Sequence, residues 1–455
     1  MKENSNVLKV TVFACIAVLY LVLIGIVFRI FVKNILYEKM GIYNKFVEFI
    51  MDGDNDVKNA DDEDDFVNID WASIYPYDEN DLYVEEQVSG VEGYLKKYKN
   101  KINSIKGQIE WYTSDGILFQ TKLTEMATGY ENIIGWKVQE QDYDAVITLR
   151  NGHLTCICPP QDVEPIVESV KNFKSFLSER NIDLCYVSVP FKIDDKDSQL
   201  PLGIEDESNK NVDKLLNRFS EENIDFIDLR ACEKEDEINH YGMFYYTDHH
   251  WTSSAAVWAC DKVAKKLHTD YGYEYDGELF DKNNYDREIY KDVFLGSYGR
   301  RVTLSKAAPE DFEILFPKKD MNFNLVMVEK NFDRTGKFAD VFIDYDMLKI
   351  TDYYQMDAYS SFVTLRKYVA KITNEDAMNQ DKKILILRDS FGNNFAPYFS
   401  QQYGTVEVVD VSLFTGSIKS YIEESKPDMV LLLYNPTMIE PIDYSSYTSS
   451  KFDFR

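Results

Sequence analysis

The fold is decided by the stretch Ile384-Leu385-Ile386-Leu387-Arg388-Asp389-Ser390-Phe391-Gly392-Asn393. Four apolar residues run into a charged pair, a serine and a glycine, which is typical of a buried strand that ends in a loop presenting a hydroxyl group. Sites in open α/β sheets lie at the carboxyl ends of the strands, so Ser390 is a candidate nucleophile. Gly392, Asn393 and Asn394 suit a tight loop whose backbone amides could cradle an oxyanion.

A second stretch, Tyr246-Thr247-Asp248-His249-His250-Trp251-Thr252, holds two of the five histidines beside a carboxylate. The apolar spacing of residues 253–267 predicts a helix, so this stretch lies in the loop that leads into it. In an extended loop Asp248 and His250 can point the same way, and Asp248 could hold one ring nitrogen while the other faces the serine. A carboxylate, an imidazole and a serine are the parts of a nucleophilic hydrolase or acyltransferase.

Two other interpretations of this histidine stretch remain open. Asp248 or Thr252 could cap the helix, with the histidines serving only the structure. Asp248, His249 and His250 are also metal-ligand types, but no third histidine follows at a recognised spacing, and the six cysteines show no zinc pattern. We expect no metal and no bound cofactor.

The chain around these two stretches alternates between helices and short apolar strands. This alternation predicts an α/β fold with a parallel sheet and helices on both faces. Residues 145–150 and 153–158 predict a hairpin, with Asn151-Gly152 suited to a type I′ turn. The predicted helices are 163–180, 212–222 and 416–425, and the predicted strands are 185–189, 225–229, 406–411 and 429–434.

Residues 271–380 carry a weaker pattern, with a short strand at 324–329 and one helix near 359–372. We interpret this part as a large insertion that carries substrate contacts.

The 455-residue chain is 45% hydrophobic, enough for a sizeable core, and has a net charge of −28. Such a surface repels nucleic acid, so no nucleic-acid ligand is expected.

The N-terminal region predicts a membrane anchor. Val10–Phe28 is an uncharged, mostly apolar run, and about 20 such residues cross a bilayer. A cleaved signal peptide is the alternative, but no clear cleavage site follows. We predict an anchor at 1–33, an acidic linker at 34–82, a helical and strand-containing extension at 83–139, and the catalytic domain at 140–455. Flanking charges alone would place that domain in the cytoplasm; its motifs favour the extracellular side of a single-pass membrane protein.

Asp248-His249-His250-Trp251 together with Asp389-Ser390-Phe391 resembles the SGNH-like acetyltransferase family. That family contains the bacterial alginate O-acetyltransferases and the Gram-positive proteins named for the Asp-His-His-Trp motif. The resemblance implies an SGNH-hydrolase-like (flavodoxin-like) three-layer α/β/α domain. It makes Ser390 the nucleophile, His250 the general base and Asp248 the residue that orients it, while His249 occupies a variable position.

Several neighbouring residues complete this resemblance. Pro190-Phe191-Lys192 is similar to the end of the family's first βαβ unit, and Arg388 stands where the family often has glycine. Asn435, after the last strand, and Gly296 or Gly299 are candidate oxyanion donors, although each is also ordinary in a turn.

The function that the resemblance implies is O-acetylation of a cell-surface or secreted polysaccharide through an acetyl-enzyme. It also implies a partner, a multi-spanning membrane acyltransferase that supplies the acetyl group. The alternatives are a carbohydrate acetylesterase and a catalytically silent glycan-binding or scaffolding protein of the cell envelope.

Overall fold

A computed structural model describes residues 143, 145–363, 369–414, 416–440 and 451–454. The predicted anchor, the acidic linker and the whole of the 83–139 extension lie outside these residues. Within the described part of the chain, no helix is both long and apolar enough to cross a membrane.

Five parallel strands form the centre of the domain, with β10 and β12 side by side in the middle. The five are β3 (Asp183–Ser188), β4 (Phe226–Asp228), β10 (Asn379–Arg388), β11 (Tyr403–Val409) and β12 (Met429–Tyr434), in the order β4-β3-β12-β10-β11. All six residues of β12 are buried. A continuous apolar run is what a parallel strand covered on both faces requires. The register pairs Ile384 with Met429 and Arg388 with Leu433.

Three antiparallel strands extend this sheet beyond β11, so the sheet is mixed and the prediction of a parallel sheet is wrong for this edge. They are β9 (Ala370–Asn374), β7 (Phe323–Met327) and β8 (Phe332–Gly336). All three come from the predicted insertion at 271–380. Residues in β7 alternate between buried and half-buried, and this weaker period is typical of strands near a sheet edge.

Helices cover both faces of the sheet, as predicted. One face carries α1 (Glu164–Ser178), α2 (Ser208–Glu221) and α8 (Ile418–Ser425), whose apolar sides share a core with Leu385 and Leu387. The other face carries α4 (Ser253–Tyr271) and α7 (Gly392–Phe399), which pack against Ile384 and Ile386. Successive side chains of β10 point to opposite faces of the sheet, so they pack into two separate cores.

The remaining helices and strands include two small separate sheets. They are β1 (Ile147–Thr148), β2 (Leu154–Thr155), α3 (Leu229–Glu235), β5 (Tyr285–Phe294), α5 (Ser297–Val302), β6 (Glu310–Pro317) and α6 (Phe338–Phe342). Strands β5 and β6 form a separate antiparallel hairpin. Single 3₁₀ turns lie at His240–Met243, Gly277–Phe280, Lys282–Asn284, Val328–Lys330, Tyr345–Leu348, Ala358–Ser361 and Pro436–Met438.

The predicted helix at 359–372 is wrong. A 3₁₀ turn at Ala358–Ser361 is followed, after residues outside the described part, by strand β9. Ala370 and Ile372 are buried and Lys371 between them is exposed, a period of two that favours a strand once a partner strand is present. The partner is β11, which pairs with β9 antiparallel.

The predicted hairpin is present, but its turn differs from the prediction. Strands β1 and β2 pair antiparallel, and the amide of Gly152 donates to the carbonyl of Leu149 at 2.9 Å. Gly152 has a φ of 90°, while Asn151 is not among the residues with positive φ. A type I′ turn needs positive φ at both central residues. The five residues between β1 and β2 instead use glycine alone for the left-handed position.

Candidate active site

Ser390 lies between the end of β10 and the start of α7, at the carboxyl edge of the sheet. Its neighbour Asp389 is buried and fixes the loop, since one oxygen accepts from the amide of Phe391 at 2.8 Å. The other oxygen accepts from both the backbone N–H and the side-chain amide of Asn435, each at 2.7 Å. Burial raises the pKa of the Asp389 carboxyl, and these hydrogen bonds work against that rise. The ends of β10 and β12 are thereby tied together beneath the serine.

The structure brings Ser390, His250 and Asp248 into one hydrogen-bonded line. Ser390 Oγ lies 2.6 Å from His250 Nε2. His250 Nδ1 is hydrogen-bonded to Asp248 Oδ1, which also accepts from the backbone amide of His250 at 2.9 Å. His250 and Asp248 are both buried, while Ser390 is half-buried. A nucleophile, a base and an orienting carboxylate are within reach of one another, which is the geometry that activates a serine.

Asp248 is held as a carboxylate by its surroundings. Burial would raise its pKa, but the nearby charges of His250 and His249 and the hydrogen bonds from His250 outweigh burial and keep the pKa well below its usual range. Its second oxygen accepts from the amide of Ser297 at 2.6 Å. A charged Asp248 favours the His250 tautomer with its proton on Nδ1, which leaves Nε2 to accept from Ser390.

His249 also faces Ser390, a role that the sequence analysis did not assign to it. Its Nε2 lies 3.5 Å from Ser390 Oγ, and its Nδ1 lies 2.9 Å from Ser297 Oγ. The two imidazole rings are 3.8 Å apart between centroids. The spacing did not predict this contact, because successive side chains of an extended loop point to opposite sides, and His249 stands between Asp248 and His250.

Aromatic side chains pack the base in place. The ring of Tyr359 stacks on His250 at 3.8 Å with an interplanar angle of 12°. Its hydroxyl lies 3.1 Å from Asn394 Oδ1, which also accepts from Trp251 Nε1 at 2.7 Å. Trp251 therefore connects the histidine loop to helix α7, and Tyr359 closes the site from the predicted insertion. This role for Tyr359 was not predicted, since the residue was expected in a helix.

The residues predicted as oxyanion donors instead make hydrogen bonds within the loops around the site. Both the backbone N–H and the side-chain amide of Asn435 donate to Asp389. Gly296 donates its amide to Thr247 Oγ1 at 2.9 Å, and Gly299 donates to the carbonyl of Thr247 at 2.7 Å. These groups hold the loops of the site. The expected tight loop at Gly392 is the first turn of α7, where the amide of Gly392 donates to Asp389 and that of Asn393 to Ser390.

Arg388 is fully buried beneath the serine loop. Its Nη1 donates to the carbonyl of Asp389 at 3.3 Å, and its stem lies so close to Gly392 that a Cβ there would come within 2.7 Å of Arg388 Cγ. The arginine thus packs under the loop, and Gly392 provides the room for it.

The geometry also bears on the two other interpretations of the histidine stretch. Thr252 caps α4, since its side chain accepts from the amide of Ala255, and Asp248 does not cap this helix. Asp248, His249 and His250 each offer a ligand atom within 4.8 Å of the others. A metal held by all three would compete with the hydrogen bond between Asp248 and His250, and this competition makes the metal interpretation testable.

Comparison with known proteins agrees with the motifs. Residues 161–291 match the family model described as the SGNH hydrolase-like domain of the acetyltransferase AlgX. The match confirms the resemblance predicted from the motifs. It includes Asp248 and His250 and ends before Ser390. No curated protein sequence matches the chain.

Solved structures support the fold. Bacillus cereus PatB1 carrying a sulfonyl adduct superposes with a TM-score of 0.54 at 18% identity, covering 68% of this chain and 98% of that one. A DHHW family protein from Eubacterium siraeum gives a TM-score of 0.50 at 18% identity, covering 67% and 94%. The O-acetyltransferase domain of Pseudomonas putida AlgJ gives a TM-score of 0.40 at 11% identity, covering 65% of this chain and 92% of that one. The fold is the α/β fold of SGNH hydrolases with a mixed central sheet.

Proposed function

We propose that this protein is an O-acetyltransferase that acetylates hydroxyl groups of a polysaccharide through an acetyl-enzyme on Ser390. The observation that carries the proposal is the contact between Ser390 Oγ and His250 Nε2 at 2.6 Å, with His250 oriented by Asp248. The family model matched by residues 161–291 is that of an acetyltransferase domain, which supports acetyl as the transferred group.

The reaction has two halves that use the same base. His250 takes the proton of Ser390 as Oγ attacks the carbonyl carbon of an acetyl donor, and it returns that proton to the leaving group when the tetrahedral intermediate collapses. In the second half His250 takes the proton of a sugar hydroxyl, whose oxygen attacks the acetyl-serine. The O-acetylated sugar leaves and Ser390 regains its proton.

The negative charge of each tetrahedral intermediate requires a hydrogen-bond donor beside Ser390. Among the described residues, the backbone amide of Ser390 donates to no backbone acceptor, unlike those of Gly392 and Asn393. We assign the Ser390 amide as the oxyanion donor in place of Asn435 and Gly296.

The setting of the reaction is also a proposal. The apolar run at Val10–Phe28 would anchor the chain in the cell membrane, with the catalytic domain outside. The polysaccharide would be a cell-surface or secreted one, and a multi-spanning membrane acyltransferase would supply the acetyl group. No step above needs a metal or a cofactor.

The test is acetyl release from p-nitrophenyl acetate, followed with and without oligosaccharide acceptors. Ser390→Ala and His250→Ala should each lose at least about 10³-fold in kcat/KM, and acetylated sugar should form only with the wild type. Ser254→Ala is the matched control, because Ser254 lies at the start of α4 outside the triad.

The other outcomes separate the alternatives. Triad-dependent release without any acetylated sugar indicates a carbohydrate acetylesterase, because transfer and hydrolysis differ only in whether water is excluded. Equal rates in all variants indicate a glycan-binding or scaffolding protein. Activity that a chelator abolishes indicates a metal on Asp248, His249 and His250.

A further inference from the structure

A buried lysine lies under the loop that carries Asp248. Lys192 is only 1% exposed, and its ammonium donates to the carbonyls of Leu154 at 2.9 Å, of Tyr245 at 2.6 Å and of Asp248. Three acceptors match the three N–H groups of an ammonium. Lys192 therefore joins hairpin strand β2 to both ends of the turn from Tyr245 to Asp248.

A carboxylate holds the same turn through its amides. Glu310, the first residue of β6, accepts from the backbone amides of Tyr246 at 2.7 Å and Thr247 at 2.6 Å, and from Thr247 Oγ1 at 2.6 Å. A cation thus binds the carbonyls of the turn while an anion binds its amides. Charge-assisted hydrogen bonds of this kind are stronger than neutral ones.

The charges of Lys192 and Glu310 each affect the pKa of the other across the turn. Burial lowers the pKa of Lys192 and the charges of Asp248 and Glu310 partly offset this, which leaves the pKa at about 8 and the ammonium charged at neutral pH. Burial also raises the pKa of Glu310 above its usual value, and its hydrogen bonds to Thr247 and Tyr246 and the charge of Lys192 act against that rise. A buried charge costs free energy unless it is paired and hydrogen-bonded, so both groups stabilise the one turn geometry that satisfies them.

We propose that Lys192 and Glu310 form a clamp that sets the position of Asp248, and through it the orientation of His250. Both are positioning residues, since neither side chain contacts Ser390 or His250 among the described contacts. The inference rests on the proposed function, because it says what the clamp does for that reaction. It also gives a role to Lys192 of the Pro190-Phe191-Lys192 motif, which takes no part in the proposed reaction.

The experiment compares Lys192→Met, Lys192→Arg and Glu310→Gln with the wild type, using kcat and KM for p-nitrophenyl acetate and the nitrogen-15 NMR spectrum of the histidines. Lys192→Met removes the ammonium at similar length, so we expect kcat to fall about 10- to 100-fold with KM little changed. The His250 signals should shift from the tautomer with its proton on Nδ1 to a mixture. Lys192→Arg keeps the charge but not the three-acceptor geometry, so it should recover only part of kcat.

Controls separate positioning from folding. Lys196→Met removes an exposed lysine of the same segment and should match the wild type. If Lys192→Met does not fold, Glu310→Gln replaces it in the test. We expect Glu310→Gln to fold, because glutamine retains one oxygen that can accept a hydrogen bond from the turn. In Lys192→Met/Glu310→Gln the loss of kcat should be smaller than the product of the single losses, as expected for groups that share one turn.

Two results would overturn the clamp: folded Lys192→Met and Glu310→Gln variants with wild-type kcat, or an unchanged His250 tautomer in both. A wild-type protein without activity would instead refute the proposed function, and the histidine spectra would still decide whether the clamp orients His250.

Discussion

At the scale of single residues, the site depends on keeping Asp248 charged inside the protein. Its oxygens are shared among the ring and amide of His250 and the amide of Ser297. These donors and the histidine charges hold its pKa well below the usual range although burial acts the other way. The carboxylate therefore stays ionised at neutral pH.

The pH dependence of stability should show this directly. Because the folded pKa of Asp248 is depressed, its contribution to stability is complete above the unfolded pKa of about 3.9 and is lost as the pH falls through the folded value. Asp248→Asn should be less stable by about 1–3 kcal/mol near neutral pH. Urea unfolding of both proteins should give a constant difference from pH 8 to pH 5 that narrows only at strongly acidic pH. A difference that already narrows between pH 7 and pH 5 would contradict the assignment.

His249 provides a graded test, because it contacts Ser390 from a second direction without bonding to it as closely as His250. We expect His249→Gln to lower kcat about 10-fold and His250→Gln to lower it at least about 10³-fold. Steady-state rates with p-nitrophenyl acetate measure both. Equal losses in the two variants would mean that the roles of the two histidines have been assigned wrongly.

The roles of single residues were only partly predictable. Ser390, His250 and Asp248 were chosen from motif order, and the structure places them together. Asn435 and Gly296 were chosen because they follow strands or turns, but a backbone donor is identified only by whether another acceptor already uses it. That depends on contacts such as Asn435 to Asp389, between residues far apart in the sequence.

At the scale of elements, the site is a contact between two helix starts, the loop before α4 and the first turn of α7. Trp251 bridges them by donating to Asn394 on α7 at 2.7 Å. Trp251 is completely buried, so its indole also fills the space between the two helices.

Replacing this tryptophan should therefore impair catalysis as well as stability. We expect Trp251→Phe to destabilise the protein by about 1–3 kcal/mol and to lower kcat. Trp258→Phe is the matched control, since Trp258 lies on α4 and donates to Asp236 at 2.7 Å, away from Ser390. Thermal unfolding should show losses in both variants, whereas kcat should fall only for Trp251→Phe. A fall in kcat for both would mean that helix stability alone limits activity.

The loop of Gly296 gives a second test at this scale. A Cβ at Gly296 would lie 2.2 Å from the Cβ of Asp248, so Gly296→Ala must push that residue aside. We expect a loss of about 1–3 kcal/mol in stability and a fall in kcat. At Gly242 the nearest atom to an added Cβ is the end of the Asn239 side chain at 3.2 Å, so Gly242→Ala should be tolerated. Wild-type kcat in folded Gly296→Ala would contradict the close packing.

Elements with strong local patterns were predicted well. The strand at Met429–Tyr434 was placed at its observed bounds, because six apolar residues after Pro427 leave little choice. The strand predicted at 324–329 is observed as β7 at Phe323–Met327, whereas β8 and β9 were not predicted, because their conformation depends on antiparallel partners elsewhere in the chain. The helix predicted at 359–372 failed for that reason, because pairing with β11 decides the conformation of Ala370–Asn374.

At the scale of the whole molecule, the described domain follows a predicted anchor at residues 1–33, which lies outside the described residues. If the anchor is correct, the full-length chain should sediment with membranes, and deletion of residues 1–33 should release it. Protease added to intact cells should digest the domain if it faces outward. A full-length chain found in the soluble fraction, or one protected from external protease, would refute the anchor or its orientation respectively.

Acylation of Ser390 with the help of His250 can be tested by intact-protein mass spectrometry. The protein would be treated with a sulfonyl fluoride, a reagent that modifies activated serines. We expect a single adduct, mapped to Ser390 by peptide sequencing, that is absent from Ser390→Ala and forms far more slowly in His250→Ala. An adduct at another residue, or equal labelling of the wild type and Ser390→Ala, would contradict the role of Ser390 as the nucleophile.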